Sequence, residues 1–178
     1  MGFCQYESPV FYAEKYKDES FVTLRDEEYI SIDLKKGEIE IEESITRDFL
    51  NLHAMAGSSN ERSLRFQETF YEFYKIEAGV YLPEGEKYDY NAVKEFETKD
   101  VLSQDVFYDG EKAVMYKLTG VQPGAITHLH YKRLVKEPRF IGATYFKNYS
   151  IIESQILQIT FDENISHNRT QTSISEIY

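Results

Sequence analysis

Residues 74–85 read Tyr-Lys-Ile-Glu-Ala-Gly-Val-Tyr-Leu-Pro-Glu-Gly. Tyr74, Ile76, Ala78, Val80 and Leu82 occupy every second position, and Pro83-Glu84-Gly85 ends the run. A period of two marks a strand with one apolar face, because successive side chains leave a pleated backbone on opposite sides. The pattern predicts that Ile76, Ala78, Val80 and Leu82 face a core, with Lys75, Glu77 and Tyr81 on the other side. Tyr88, Tyr90 and Ala92 resume the pattern after the turn, so 74–82 and 87–96 read as a hairpin.

The same signal extends both ways along the chain. Ile30, Ile32 and Leu34 alternate, Lys35-Lys36-Gly37 supplies a turn, and Ile39 and Ile41 return between Glu38, Glu40 and Glu42. Glu43 breaks the return strand and is expected to mark a bulge or an exposed position. Further strands are predicted at 112–118, 125–136 and 151–161, with a short one at Val106-Phe107-Tyr108 before Asp109-Gly110. Phe66, Phe70 and Phe73 make a dense aromatic patch with Tyr71 and Tyr74, and Phe140 to Phe146 reads as one more segment. Residues 48–63 are ambiguous: Phe49, Leu50, Leu52 and Met55 suit a short helix, and 56–60 read as a loop. With strands at 29–34, 38–46, 74–82, 87–96, 112–118, 125–136 and 151–161, the chain is expected to be all-β. The predicted architecture is an antiparallel β-sandwich, immunoglobulin-like or related. Residues 1–11 form a lead-in, 12–162 the sandwich, and 163–178 a polar tail or the start of a linker.

Composition excludes several roles. Across 178 residues, 31 Asp and Glu outnumber 20 Lys and Arg, for a formal net charge of -11. A polyanionic nucleic acid or an anionic membrane is repelled on average. The densest basic stretch, Lys132, Arg133, Lys136 and Arg139, reads as a solvated strand and turn. Cys4 is the single cysteine, so no internal disulfide forms. No apolar run approaches the roughly 18 residues of a transmembrane helix. Gly2-Phe3-Cys4-Gln5 has small residues at alternate positions, as in the tail of a signal peptide cleaved after Cys4.

No motif announces catalysis. Cys4 is the only thiol, and nothing local ties it to His53, His128, His130 or His167. Neither G-x-S-x-G nor a phosphate-binding glycine loop occurs. His128 and His130 share a strand face at chelating spacing, yet no third ligand is evident, and they read as partly exposed histidines beside Ile126, Lys132 and Leu134. Glu38, Glu40 and Glu42 read as a solvated face rather than as a glycosidase pair. Asn148, Asn164 and Asn168 open Asn-x-Ser/Thr triplets that carry meaning only in a glycosylating cell. These readings assign no catalytic, cofactor-binding or metal residue and no cofactor.

The order of turns is more specific. After 74–85 come Val106-Phe-Tyr-Asp-Gly110, Leu118-Thr-Gly-Val-Gln-Pro-Gly-Ala125 and Glu137-Pro-Arg-Phe140. This succession resembles an uncharacterised domain found N-terminal to transglutaminase-like domains in secreted bacterial proteins, notably of Bacteroidetes, over roughly residues 12–162. The resemblance implies a β-sandwich, a periplasmic or extracellular location, and a papain-like Cys-His-Asp domain downstream in the same polypeptide. It carries over no catalytic residue, since its motifs are turns: Gly85, Gly110, Gly120 and Gly124 permit positive φ, and Pro83 and Pro123 stiffen turn entries.

Three functions follow as expectations. The first is a non-catalytic accessory domain beside that neighbouring domain. The second is a stand-alone glycan- or peptide-binding module using Tyr71, Tyr74, Tyr88, Tyr90 and Tyr108. The third is a hydrolase built on acidic residues.

Overall fold

The computed structural model describes residues 6–53, 60–101, 110–142, 146, 151–163 and 165. Strands β1 (Phe21–Lys35) and β2 (Glu38–Asn51) form a long hairpin. Lys36 and Gly37 both take positive φ (54° and 84°) at its turn, which matches the right-handed twist of the flanking strands. The strands β3 (Glu61–Gln67), β4 (Tyr71–Glu84), β5 (Lys87–Ala92), β6 (Glu97–Asp100), β7 (Glu111–Lys117), β8 (Ile126–Val135) and β9 (Gln155–Phe161) follow, with one 3-10 turn at Pro138–Phe140. One sheet has the order β5-β4-β8-β2-β1-β9 and the other β3-β7-β6. The chain is all-β and sandwich-like, with antiparallel pairing predominant.

The two faces of the large sheet have different neighbours. On the first, Ala78, Val80 and Ala125 pack against Tyr116 and Leu118, which belong to β7 and its C-terminal extension, so the small sheet lies over β4 and β8. Farther along this face, Ile30, Ile41 and Val135 form a second cluster with Leu157 and Tyr71. On the opposite face, Val22, Leu50 and Ile126 are covered by Tyr12 of a helix, α1 (Pro9–Lys15), and by its C-cap residue Tyr16. The register thus places Ala78 and Val80 at the sandwich core as the alternation predicts, with Ile76 and Leu82 half-buried at its margins. Tyr81 lies on the other face and packs against the helix-side cluster with Tyr6.

Several expectations are corrected. Helix α1 runs from the end of the lead-in into the residues after it; it is capped by Ser8, whose Oγ accepts from the Phe11 N–H at 3.2 Å, with Pro9 in the first turn, where its missing N–H costs nothing. Phe49 and Leu50 extend β2 rather than starting a helix; Met55 lies outside the described residues. Strands β3 and β6 join the expected set. The pairing is not wholly antiparallel. β9 runs parallel to β1 and so points the same way as β8, rather than turning back from it as a hairpin partner would. Tyr74 does not share a face with Ile76: the register shifts between Phe73 and Lys75, and Tyr74 is exposed at this bulge beside Glu42. Glu43 is neither bulged nor exposed. The β1–β2 register is continuous through it, and Arg133 on β8 neutralises its fully buried carboxylate. The expected strand at 106–108 and the residues Cys4, Tyr108, Asn148, Asn164, His167 and Asn168 lie outside the described residues, as do 143–145 of the segment 140–146.

Candidate functional site

Two groups of side chains stand out. The first crosses five strands on the helix side of the large sheet. Arg25, Asp48, His128, Gly79 and Ala92 are successive cross-strand partners on β1, β2, β8, β4 and β5. Asp48 is fully buried; its carboxylate accepts from Arg25 Nε at 2.5 Å and lies 2.6 Å from His128 Nδ1. A carboxylate taken out of water needs such partners, since its desolvation otherwise disfavours folding by several kcal/mol. Tyr81 and Tyr90 set their rings at a steep angle to the His128 ring, with centroids 6.0 and 6.1 Å away. Tyr6 lies against the same group, and burial followed by the Asp48 charge raises its hydroxyl above the ordinary tyrosine range.

His128 and His130 therefore share a face, as their spacing predicts, but His128 is far less exposed than a solvated strand residue. His130 Nδ1 lies 3.0 Å from Thr46 Oγ1. Burial, reinforced by Lys75, holds its ring below the ordinary histidine range. A histidine oriented by a buried carboxylate is an element of acid–base catalysis. Among the described residues, no hydrogen bond joins His128 to a serine, threonine or cysteine side chain. Nor do the described residues gather three His, Cys, Asp or Glu side chains into a set able to hold a metal. The arrangement can tie three strands together.

The other carboxylates and cations are mostly paired. Glu40 bonds Lys35, and Glu42 lies 2.9 Å from Lys132, which holds it below the usual carboxylate range. The basic stretch is likewise paired: Lys132 with Glu42, Arg133 with Glu43, and, on the exposed turn end, Lys136 with Glu72 and Arg139 with Glu137. This leaves no concentrated positive surface there for a phosphate backbone. Among the described residues, no helix is long and apolar enough to cross a membrane. Of the tyrosines singled out in the sequence, Tyr74 and Tyr90 are exposed, and Tyr71 and Tyr88 are half-buried.

The second group is a cavity of about 440 Å³ between the sheets, which the sequence motifs did not reveal. Phe66, Tyr71, Phe73, Ile76, Phe96 and Val114 wall it, and Glu68, Glu72, Lys112 and Lys136 also line it. Only the aromatic patch at 66–74 hinted at it, and an aromatic cluster reads equally as core.

Comparison with known proteins agrees with this fold. The crystal structure of a "putative protease" from Parabacteroides distasonis is similar with a TM-score of 0.60 at 14% identity, covering 81% of this chain and 29% of that one. The chain thus spans less than a third of that protein. Leukotriene A4 hydrolase from Saccharomyces cerevisiae gives a TM-score of 0.36 at 15% identity, over 64% of this chain and 15% of the hydrolase. No curated protein matches the sequence. A family profile matches residues 51–175, more than half of the chain, and the chain belongs to DUF3857, described as a domain of unknown function with a solved structure.

Proposed function

We propose that this chain is a non-catalytic accessory domain of a larger exported protein, working in the periplasm or outside the cell beside a transglutaminase-like, papain-like Cys-His-Asp domain of the same polypeptide. The observation that carries the reading is the length relation. Most of this chain matches less than a third of the longer Parabacteroides protein, so the fold recurs as one part of a larger chain. The site geometry fits a supporting role. The acid–base pair of Asp48 and His128 is also bound to Arg25 and serves to join strands. Acyl transfer needs an activated nucleophile and donors for the developing oxyanion in addition to an oriented histidine.

The test uses the purified chain and its Cys4→Ala variant on peptide and glutamine–amine substrates. Neither protein is expected to hydrolyse or transamidate above background. Turnover by the parent that the variant loses would overturn the reading. Sequencing the gene beyond codon 178 tests the neighbour separately: a Cys, His and Asp set in a mixed α/β context supports it, and a stop codon at that point removes it.

A further inference from the structure

We propose that the cavity between the sheets binds an aromatic amino acid, free or at the end of a peptide, with its ring inside and its charged main-chain groups at the mouth. The proposal concerns this chain alone and does not depend on any neighbouring domain.

The walls come from both sheets. Tyr71, Phe73 and Ile76 belong to β4, Phe66 to β3 and Val114 to β7, with Phe96 just before β6. The bulge between Phe73 and Lys75 is what turns both Phe73 and Ile76 towards the small sheet, although three positions separate them. Phe66 and Phe73 meet edge to face at 4.8 Å, yet Phe66, Phe73, Ile76 and Phe96 all stay half-buried. Apolar side chains at a sandwich interior normally close on each other. Here they line a hollow of about 440 Å³ that is half open to solvent, within the usual size range of ligand pockets.

One wall is held from behind. The Arg133 guanidinium lies 4.2 Å from the centre of the Tyr71 ring, and the Tyr71 hydroxyl donates to the Phe140 carbonyl at 2.5 Å. Arg133 Nε in turn donates to Glu43 at 2.5 Å, and Glu43 is fully buried, its Oε1 without a hydrogen-bond partner among the described residues. A buried ion pair adds little net stability over an apolar pair of the same volume. Fixing the plane of a wall ring gives this one a role, since a site works when its first layer is locked by a second.

The polar lining selects the ligand. Lys136 stands 3.3 Å from Glu72 and donates to the Glu68 carbonyl at 3.2 Å, while Lys112 lies 2.7 Å from the Glu68 carboxylate. Charges of both signs therefore alternate beside an aromatic hollow. A ligand of one sign meets as much repulsion as attraction there. A zwitterion finds an opposite charge for its ammonium and another for its carboxylate, with its ring in the hollow.

The test is a methyl NMR titration of the isotopically labelled chain. L-Phenylalanine is expected to shift the Ile76 and Val114 methyl signals saturably. N-acetyl-phenylalanine amide, which has the ring and neither charge, is expected to bind at least about fivefold more weakly. Gly-Phe and Phe-Gly separate the two sources: a dipeptide that binds more tightly than phenylalanine points to a peptide end, and the reverse order to the free amino acid. Ile76→Trp, which fills the hollow, should abolish the Val114 shift. Lys136→Gln, a surface change that leaves the walls intact, should weaken phenylalanine about fivefold without changing the amide. Absence of a saturable shift up to about 10 mM overturns the proposal, as does equal affinity for the uncharged amide.

Discussion

A Cβ atom added at Gly79 would stand 2.6 Å from the ring of Tyr90, which lies across the strand at that point. Gly79 is the cross-strand partner of His128, so its missing side chain lets Tyr90 approach the histidine and pack 4.5 Å from Tyr81. Burial pushes the Tyr90 hydroxyl up to about 12. Glycine weakens a strand interior unless something approaches its backbone closely, and here a ring does.

Gly79→Ala is therefore expected to destabilise the domain by about 1 kcal/mol, the low end of overpacking, because the ring belongs to an exposed side chain that can swing away. In a Tyr90→Ala background the same change should stabilise by about 0.5–1 kcal/mol, since alanine suits a strand better than glycine. Urea denaturation of the four proteins measures both effects. A cost that persists without Tyr90 would show that the ring is not the obstacle.

Val80 is fully buried between β4 and the small sheet. Val80→Asp should remove about 4 kcal/mol or more, because a lone carboxylate there has neither water nor a partner. Leu82→Asp, half-buried close to the β4–β5 turn, should cost clearly less. Thermal melts of the two variants check the register. A Val80→Asp protein that melts like its parent refutes it.

Where the sequence was legible, one residue type and one period agreed. Ala78 and Val80 show this on β4, and Tyr131 and Val135 do so on β8, with Ala125 just before it and Ile126 buried on the opposite face. The pattern fell silent where the physics is non-local. β6 is Glu-Thr-Lys-Asp and holds no apolar residue, so only its pairing with β7 makes it a strand. The parallel direction of β9 is set by which end of the strand enters the sheet first, which alternation does not encode. Glu43 looked like an interruption because its partner Arg133 is 90 positions away. The Ser8-Pro9 start of α1, by contrast, is a local cap signal that the sequence itself carries. Neither the Asp48–His128 pair nor the inter-sheet cavity has a sequence motif, since both arise from strands joined only by the fold.

His130 gives a pH prediction. Its folded-state affinity for protons is lowered by burial and then by Lys75, so the unfolded chain binds a proton more readily. Below the ordinary histidine range, about pH 6.5, the unfolded state gains that proton first, and stability falls as pH falls towards the lowered folded value. Above that range His130 contributes no slope. The parent should therefore lose melting temperature between about pH 7 and 5 more steeply than His130→Gln. Parallel slopes for the two proteins would show that His130 is not responsible.

The Glu43–Arg133 pair yields the sharpest contrast between single and double changes. Glu43 has no exposed surface and Arg133 little, and the guanidinium also stacks on Tyr71. Removing one partner strands the other charge in a medium that solvates it poorly. Glu43→Leu and Arg133→Met are thus each expected to cost about 3–5 kcal/mol. Made together, they leave an apolar pair of similar volume between Ile30 on β1 and Phe73 on β4, and the double variant should be close to the parent in stability, or above it by about 1–4 kcal/mol. A double-mutant cycle from urea denaturation reads this directly, because neighbours that share one interaction fail to add. Additive single effects would show that the two charges do not depend on each other. If instead the double variant is stable but Tyr71 loses its fixed ring orientation by NMR, the pair is retained for the geometry of the cavity wall rather than for the strength of the fold.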